Sequence, residues 1–278
     1  MAESTPSPEL SIDIAALLET EVDLLPLMPE LLADLEALGG SPELTLELLE
    51  RVSPAPAWRV LDLGCGKGAL ALAVAARFGC RVEGVDGFAP FVDEANTTAR
   101  KRGLADRCRF RQGNVRHLVQ TEDRYDALIF AGLGDLLGPP TETVTQLRRL
   151  LRPGGFMVIG DVFLKPGAPL AEGYGYALHE DAMLRALTAS GDRCVATSTL
   201  TDAQMIATNR DNNDRIRRCA RNLMDRHPDR AETIAAYVRR QEVECRKLET
   251  CFVDAAWLIE RVETPANQAC RNEGKSPN

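Results

Sequence analysis

Val60-Leu61-Asp62-Leu63-Gly64-Cys65-Gly66-Lys67-Gly68 is the stretch whose reading decides the fold. Residues 58–63 are a short apolar run of the kind buried inside a sheet, glycines follow at every second position, and an Ala/Leu-rich helix is expected over 68–78. Glycines at the carboxyl end of a strand let the backbone approach a ligand closely. The helix that follows offers the unpaired N–H groups of its first turn.

Downstream the same alternation repeats. Strands are predicted at 81–86 (RVEGVD), 108–112, 125–131 (YDALIFA) and 156–161 (FMVIGD), with helices at 90–101 and 141–151 between them. Strands alternating with helices at this interval predict an α/β fold with a doubly wound parallel sheet. A Gly/Pro-rich passage at 165–175, a helix near 180–190 and a strand at 193–199 complete the run. Residues 201–250 are helical in pattern, with eleven Lys/Arg and nine Asp/Glu, and 251–261 (CFVDAAWLIER) reads as a closing strand.

Upstream the character changes. The first fifty residues hold twelve Asp/Glu and no Lys or Arg, whereas the rest carry 33 basic and 29 acidic groups, so the net charge of −8 originates in an N-terminal segment. Leu10, Ile14, Leu17 and Leu18, then Leu31, Leu32, Leu35 and Leu38, recur at helical spacing between Pro6, Pro8, Pro26, Pro29, Gly39, Gly40 and Pro42. Ser41 and Pro42 open a further helix over 42–51. The domain organisation expected is an acidic helical cap at 1–52, an α/β core at 53–200, a helical insertion at 201–250, a closing strand at 251–264 and a tail at 265–278.

Several function classes are disfavoured by composition. An acidic cap repels phosphate backbones, and aromatics at 5% are too few for a base-stacking surface, so no nucleic-acid partner is expected. The eight cysteines (including Cys65, Cys80, Cys108 and Cys270) form no C-x-x-C pair, and the three histidines are not at ligand spacing, so no metal site is expected. The absence of a cationic leader and of a long apolar run predicts a cytoplasmic protein without a membrane partner. Oligomeric state leaves no mark in the sequence.

The chemistry rests on the glycine loop and its acidic companions. Asp86 ends the second strand, where a carboxylate can accept from both hydroxyls of an adenosine ribose. Gly64-x-Gly66-x-x-Ala69 also fits a dinucleotide fingerprint, which keeps an NAD(P)-dependent oxidoreductase open as an alternative. Asp62 argues against it, because a carboxylate two residues before the first glycine suits a cationic amino group and repels a pyrophosphate. Gly113-Asn114-Val115 after the third strand can cap an adenine edge, and Leu151-Arg152-Pro153-Gly154-Gly155 introduces the fifth strand.

With VLDLGCGKG, VEGVDGF, RQGNV, YDALIFAG and LRPGGFMVIGD in this order over 58–162, the chain resembles the class I S-adenosylmethionine-dependent methyltransferases, in particular bacterial small-molecule members with a helical N-terminal cap and an insertion before the last strand. The resemblance implies a Rossmann-like seven-stranded sheet with an antiparallel last strand. It implies S-adenosylmethionine as cofactor, with Gly64, Cys65 and Gly66 along its methionine part, Asp62 at the ammonium and Asp86 at the ribose. Gly87, Phe88, Asn114 and Val115 fall to the adenine, with Asn114 standing where many relatives have Asp, and Ala131 and Gly132 flank the transferable methyl. In the glycine turn after the fourth strand, Asp135 and Leu136 stand where aromatic residues are usual.

The function expected is methyl transfer to a small-molecule acceptor, neutral or cationic, with a non-catalytic cofactor-binding sensor or scaffold as the alternative from another class. No catalytic group is identified. Asp135, Asp161, Tyr174 and Tyr176 are candidates for acceptor contact at the carboxyl edge of the sheet. His179, beside Glu180 and Asp181, reads as a histidine at a helix start. The charged insertion is expected to dock on the acidic cap and form a two-part lid.

Overall fold

The computed structural model describes residues 7–39 and 41–263. The predicted tail at 265–278, the end of the closing-strand range at 264, and Pro6, Gly40 and Cys270 lie outside the described residues.

The predicted α/β alternation is observed as β1 (Arg59–Leu63), α4 (Ala69–Phe78), β2 (Arg81–Asp86), α5 (Ala89–Lys101), β3 (Cys108–Gln112), α6 (Val115–Leu118), β4 (Tyr125–Ala131), α7 (Pro140–Leu150), β5 (Leu151–Leu164), α8 (Glu180–Leu187), β6 (Arg193–Thr199) and β7 (Phe252–Glu260). They build one seven-stranded sheet in the order β3-β2-β1-β4-β5-β7-β6, with β7 antiparallel to both β5 and β6. The chain leaves β1 toward β3 and then crosses back to β4, so the carboxyl ends of β1 and β4 frame a crevice where the strand order reverses.

Some boundaries differ from the sequence reading. The fifth strand is longer than 156–161, because Leu151 already pairs with Tyr125 and the last residues pair along β7 as far as Leu164 with Phe252. The closing strand starts at Phe252, since Cys251 still ends a helix, and it stops at Glu260. Helix α6 is one turn that an apolar periodicity cannot announce; Asn114 caps it by accepting from the Arg116 N–H at 2.8 Å.

Burial follows the strand period of two. Leu61 and Leu63 of β1 join Leu147, Met183 and Trp257 on one face of the sheet, while Val60 joins Ala71, Ala95 and Leu258 on the other. N-terminal to the sheet lie α1 (Pro8–Leu17), a 3₁₀ turn (Val22–Leu27), α2 (Met28–Leu31) and α3 (Pro42–Glu50). Helix α3 packs Leu44, Leu48 and Leu49 against the sheet itself.

The remaining N-terminal helices meet the two long helices of the insertion, α9 (Asp202–Arg226) and α10 (Ala231–Cys251). Ile14, Leu24, Met28 and Leu31 share a buried cluster with Ile216, Ala220, Leu223, Ile234 and Tyr237. Around its rim Arg218 pairs with Asp34 at 2.8 Å, Arg230 with Asp23 at 2.9 Å, Arg240 with Glu21 at 3.5 Å, and Arg226 with Glu30. The exposed pairs contribute little each; the shared apolar core holds the segments together. On α9, Arg217 pairs with Asp214 and Glu242 of the insertion itself.

One polar anchor under the sheet edge is testable. Asp192, its side chain fully buried, accepts from Arg148 Nε at 2.9 Å and from the Val262 N–H at 3.1 Å, fixing the entry to β6 to α7. Removing the carboxylate leaves the Arg148 guanidinium with only the Val262 carbonyl and no counter-charge, so Asp192→Ala is expected to cost about 3 kcal/mol and Asp192→Asn less, as read by chemical denaturation.

Candidate active site

The loop after β1 is shaped by backbone that only glycine adopts easily. Gly64 has φ of 70°, and a Cβ there would lie 2.4 Å from Leu133 Cδ2. Gly64 and Cys65 both donate N–H to the carbonyl of Val85 at the end of β2. Asp86, the next residue, accepts from Gly66 N–H through Oδ2 and from Phe88 N–H through Oδ1, each at 2.8 Å. One carboxylate thus sets the spacing of the two loops. Burial pushes its pKa up and the two amides pull it back.

Asp62 lies deeper. It is 3% exposed, and Oδ2 is buried without a hydrogen-bond partner among the described residues. Burial first, and the charge of Asp86 second, raise its pKa to about 7. An unpaired buried carboxylate oxygen costs stability unless a donor reaches it, and a cationic amine is the donor that offsets most of that cost.

Asp62, Gly64, Cys65, Gly66, Asp86, Gly87, Phe88, Asn114, Val115 and Ala131, separated by up to seventy residues in sequence, line a single cleft. Its roof is apolar and comes from the N-terminal segment, with Leu10 and Ile14 of α1 and Leu38 of the loop before α3. A Cβ on Gly66 would meet Leu38 at 3.3 Å and one on Gly87 would meet Leu10 at 3.0 Å, so these side chains lie directly on the loops. Asn114 spends its amide oxygen on the α6 cap described above.

Asp135, Asp161, Tyr174 and Tyr176 do not join that cleft. They line a larger one between the sheet edge, the N-terminal helices and the insertion. The two are continuous, since Asp13, Leu38, Ser41, Gly132 and Leu133 border both. Tyr176 O–H donates to Asp161 Oδ1 at 3.4 Å, and burial pushes Asp161 to about 7, opposed by the Val162 N–H and Tyr176 and reinforced by Asp254 and Asp135. His179 caps α8 and places Nδ1 3.3 Å from the Leu164 carbonyl.

Other residues of the site were given no role by the sequence. Lys67, 5% exposed, borders the cleft and donates to the Leu32 carbonyl at 2.7 Å, tying the glycine loop to the N-terminal segment. Glu19 reaches the larger cleft from the cap, accepts from Gln241 at 2.7 Å, and is raised to about 7 by burial and by Glu244. Asp254, held by Ser41 O–H at 2.9 Å, is raised to about 6 by burial. Each depends on a long-range contact, which a local sequence pattern does not announce.

With this geometry in place the comparisons are specific. Residues 60–155 match the family model described as a methyltransferase domain. Residues 60–155 carry that methyltransferase domain, on the sheet order of the class I fold. Methyltransferase GfsG of Streptomyces halstedii is 29% identical over 124 residues, 44% of either chain. Geranyl diphosphate 2-C-methyltransferase of Saccharopolyspora erythraea is 47% identical over 60 residues, which are 22% of this chain and 21% of that one. The chain therefore spans less than half the length of these curated relatives. A methyltransferase from Geobacter sulfurreducens solved with S-adenosylhomocysteine superposes with a TM-score of 0.73 at 21% identity, covering 84% of this chain and 97% of that chain, which establishes the shared fold. Among the described residues no helix is long and apolar enough to cross a membrane, and no group of His, Cys, Asp and Glu is arranged to hold a metal.

The raised carboxyl groups make a stability prediction. Asp62, Asp161 and Glu19 bind a proton more tightly folded than unfolded, so their contribution is complete below the ordinary carboxylate range and is lost as pH rises through about 7. The ligand-free protein should lose thermal stability between about pH 5 and pH 8, and Asp62→Asn should make that fall shallower, as read by calorimetric melting.

Proposed function

We propose that the protein moves a methyl group from S-adenosylmethionine to a small-molecule acceptor. The observation that carries this reading is the buried Asp62 carboxylate, which borders the glycine-loop cleft and has one oxygen without a partner among the described residues, a place for a cationic donor. The cofactor supplies, when bound, a methyl group already activated on a sulfonium. The amino-acid end of that cofactor fits Asp62, with Gly64, Cys65 and Gly66 giving it room. Asp86 retains acceptor lone pairs beside its two amides for the ribose hydroxyls, and Gly87, Phe88, Asn114 and Val115 bound the adenine end.

The chain's work at the reacting end is alignment and exclusion of water. Ala131 and Gly132 stand where the cofactor cleft opens into the larger one, so an acceptor lying against Asp135, Asp161, Tyr174 and Tyr176 approaches along that opening. Leu10, Ile14 and Leu38 close the roof and lower the local dielectric. A roofed cleft with carboxylates suits a small neutral or cationic acceptor and disfavours a polyanion.

Calorimetric titration tests this directly. S-adenosylmethionine and S-adenosylhomocysteine should bind with micromolar affinity and NADH should not. Asp86→Ala and Asp62→Asn should each weaken S-adenosylhomocysteine by about tenfold or more, the worth of a charge-assisted hydrogen bond. Binding of NADH alone would overturn the reading.

A further inference from the structure

The larger cleft contains a pair that the alignment of donor and acceptor does not by itself require. Asp161 follows Gly160, whose carbonyl accepts the Gly132 N–H at 3.0 Å, so its backbone is fixed beside the opening between the clefts. Its Oδ1 accepts from Val162 N–H at 2.7 Å and from Tyr176 O–H, and among the described residues Oδ2 has no hydrogen-bond partner and neither oxygen pairs with a cation. Tyr176 is held in turn against the glycine turn, where a Cβ on Gly134 would lie 2.9 Å from the phenol oxygen. The phenol is pushed up by burial and by Asp161 and Asp135, so it remains a donor.

Several of the basic residues that line the same cleft pair with other carboxylates. Arg116 pairs with Asp13 at 3.0 Å, Arg240 with Glu21, and Lys247 with Glu244 at 3.1 Å. Asp161 is therefore faced by Asp135 from the glycine turn, Asp254 from β7, Tyr176 from the loop before α8 and, through the tyrosines, Glu244 from α10. This is a site that attracts a cation and holds a carboxylate able to exchange a proton near neutral pH.

Resting on the methyl-transfer reading, we propose that the acceptor presents an amine nitrogen and that Asp161, oriented by Tyr176, takes its proton. An ammonium enters beside Asp161 and passes one proton to the carboxylate, which becomes a carboxylic acid. The nitrogen lone pair then forms the new N–C bond. The C–S bond of the sulfonium donor breaks with its electron pair remaining on sulfur, which leaves as a neutral thioether. The raised pKa of Asp161 brings its basicity toward that of an amine and makes the first transfer less uphill.

Three arylethyl probes of nearly equal shape separate the possibilities: 2-phenylethylamine, 2-phenylethanol and phenylacetate, titrated into protein saturated with S-adenosylhomocysteine. The amine should bind about tenfold or more tightly than the alcohol, and phenylacetate weakest. Asp161→Asn, folded and still binding S-adenosylhomocysteine, should lose that preference. In a carbon-13 titration of the carboxyl groups, the resonance absent from Asp161→Asn should titrate near 7, shift down when the amine is added, and shift up in Tyr176→Phe. Equal binding of alcohol or acid, a preference surviving Asp161→Asn, or a midpoint in the ordinary carboxylate range overturns the proposal. Failure of the wild-type protein to bind S-adenosylhomocysteine instead removes the methyl-transfer reading beneath it.

Discussion

The carboxylate of Asp86 is the constraint around which the site is arranged. By accepting amides from both Gly66 and Phe88, it locks the loop after β1 to the loop after β2. That lock determines where Asp62 can look, which way the first turn of α4 points, and how near the cap can come. A side chain on Gly64 would run into Leu133, and one on Gly66 into Leu38. The loops are consequently close to both the neighbouring turn and the cap.

Lys67 extends this frame beyond the sheet. Sitting between two glycines, it is the position from which a long side chain can leave the loop, and it uses that length to reach the Leu32 carbonyl while lying 3.3 Å from Glu94. A buried ammonium is tolerated only with such partners. The N-terminal segment is thereby held to the loop from one side and to the insertion, through Ile216, Leu223 and Tyr237, from the other.

Much of this was legible from local pattern. The alternation of short strands with helices gave β2 to β4 at their observed positions and β1 one residue early; the central β4 announces itself as an apolar run, whereas the edge strand β3 alternates buried Cys108 and Phe110 with exposed arginines. The glycine spacing and Asp86 pointed to the residues that line the glycine-loop cleft, since these lie within a few residues of strand ends. The larger cleft was less legible. Asp161 and Tyr176 were seen as single residues, but their pairing depends on the passage 165–179 folding back beside β5. Glu19 and Asp254 could not be connected at all, because helix periodicity says which face is apolar and not which partner it meets. The start of β7 was misjudged by one residue because Cys251 suits a helix end as well as a strand.

The two clefts also differ in where their walls come from. The glycine-loop cleft is floored by the segment 60–155 that matches known methyltransferase domains, whereas much of the larger one is built from the cap, the passage after β5 and helices α9 and α10. Substitutions in those outer segments leave the bonds of Asp86 untouched. Natural variation can therefore reshape the outer chamber while selection keeps the inner one, and two descendants of this chain can diverge in what they recognise while remaining alike in what they spend.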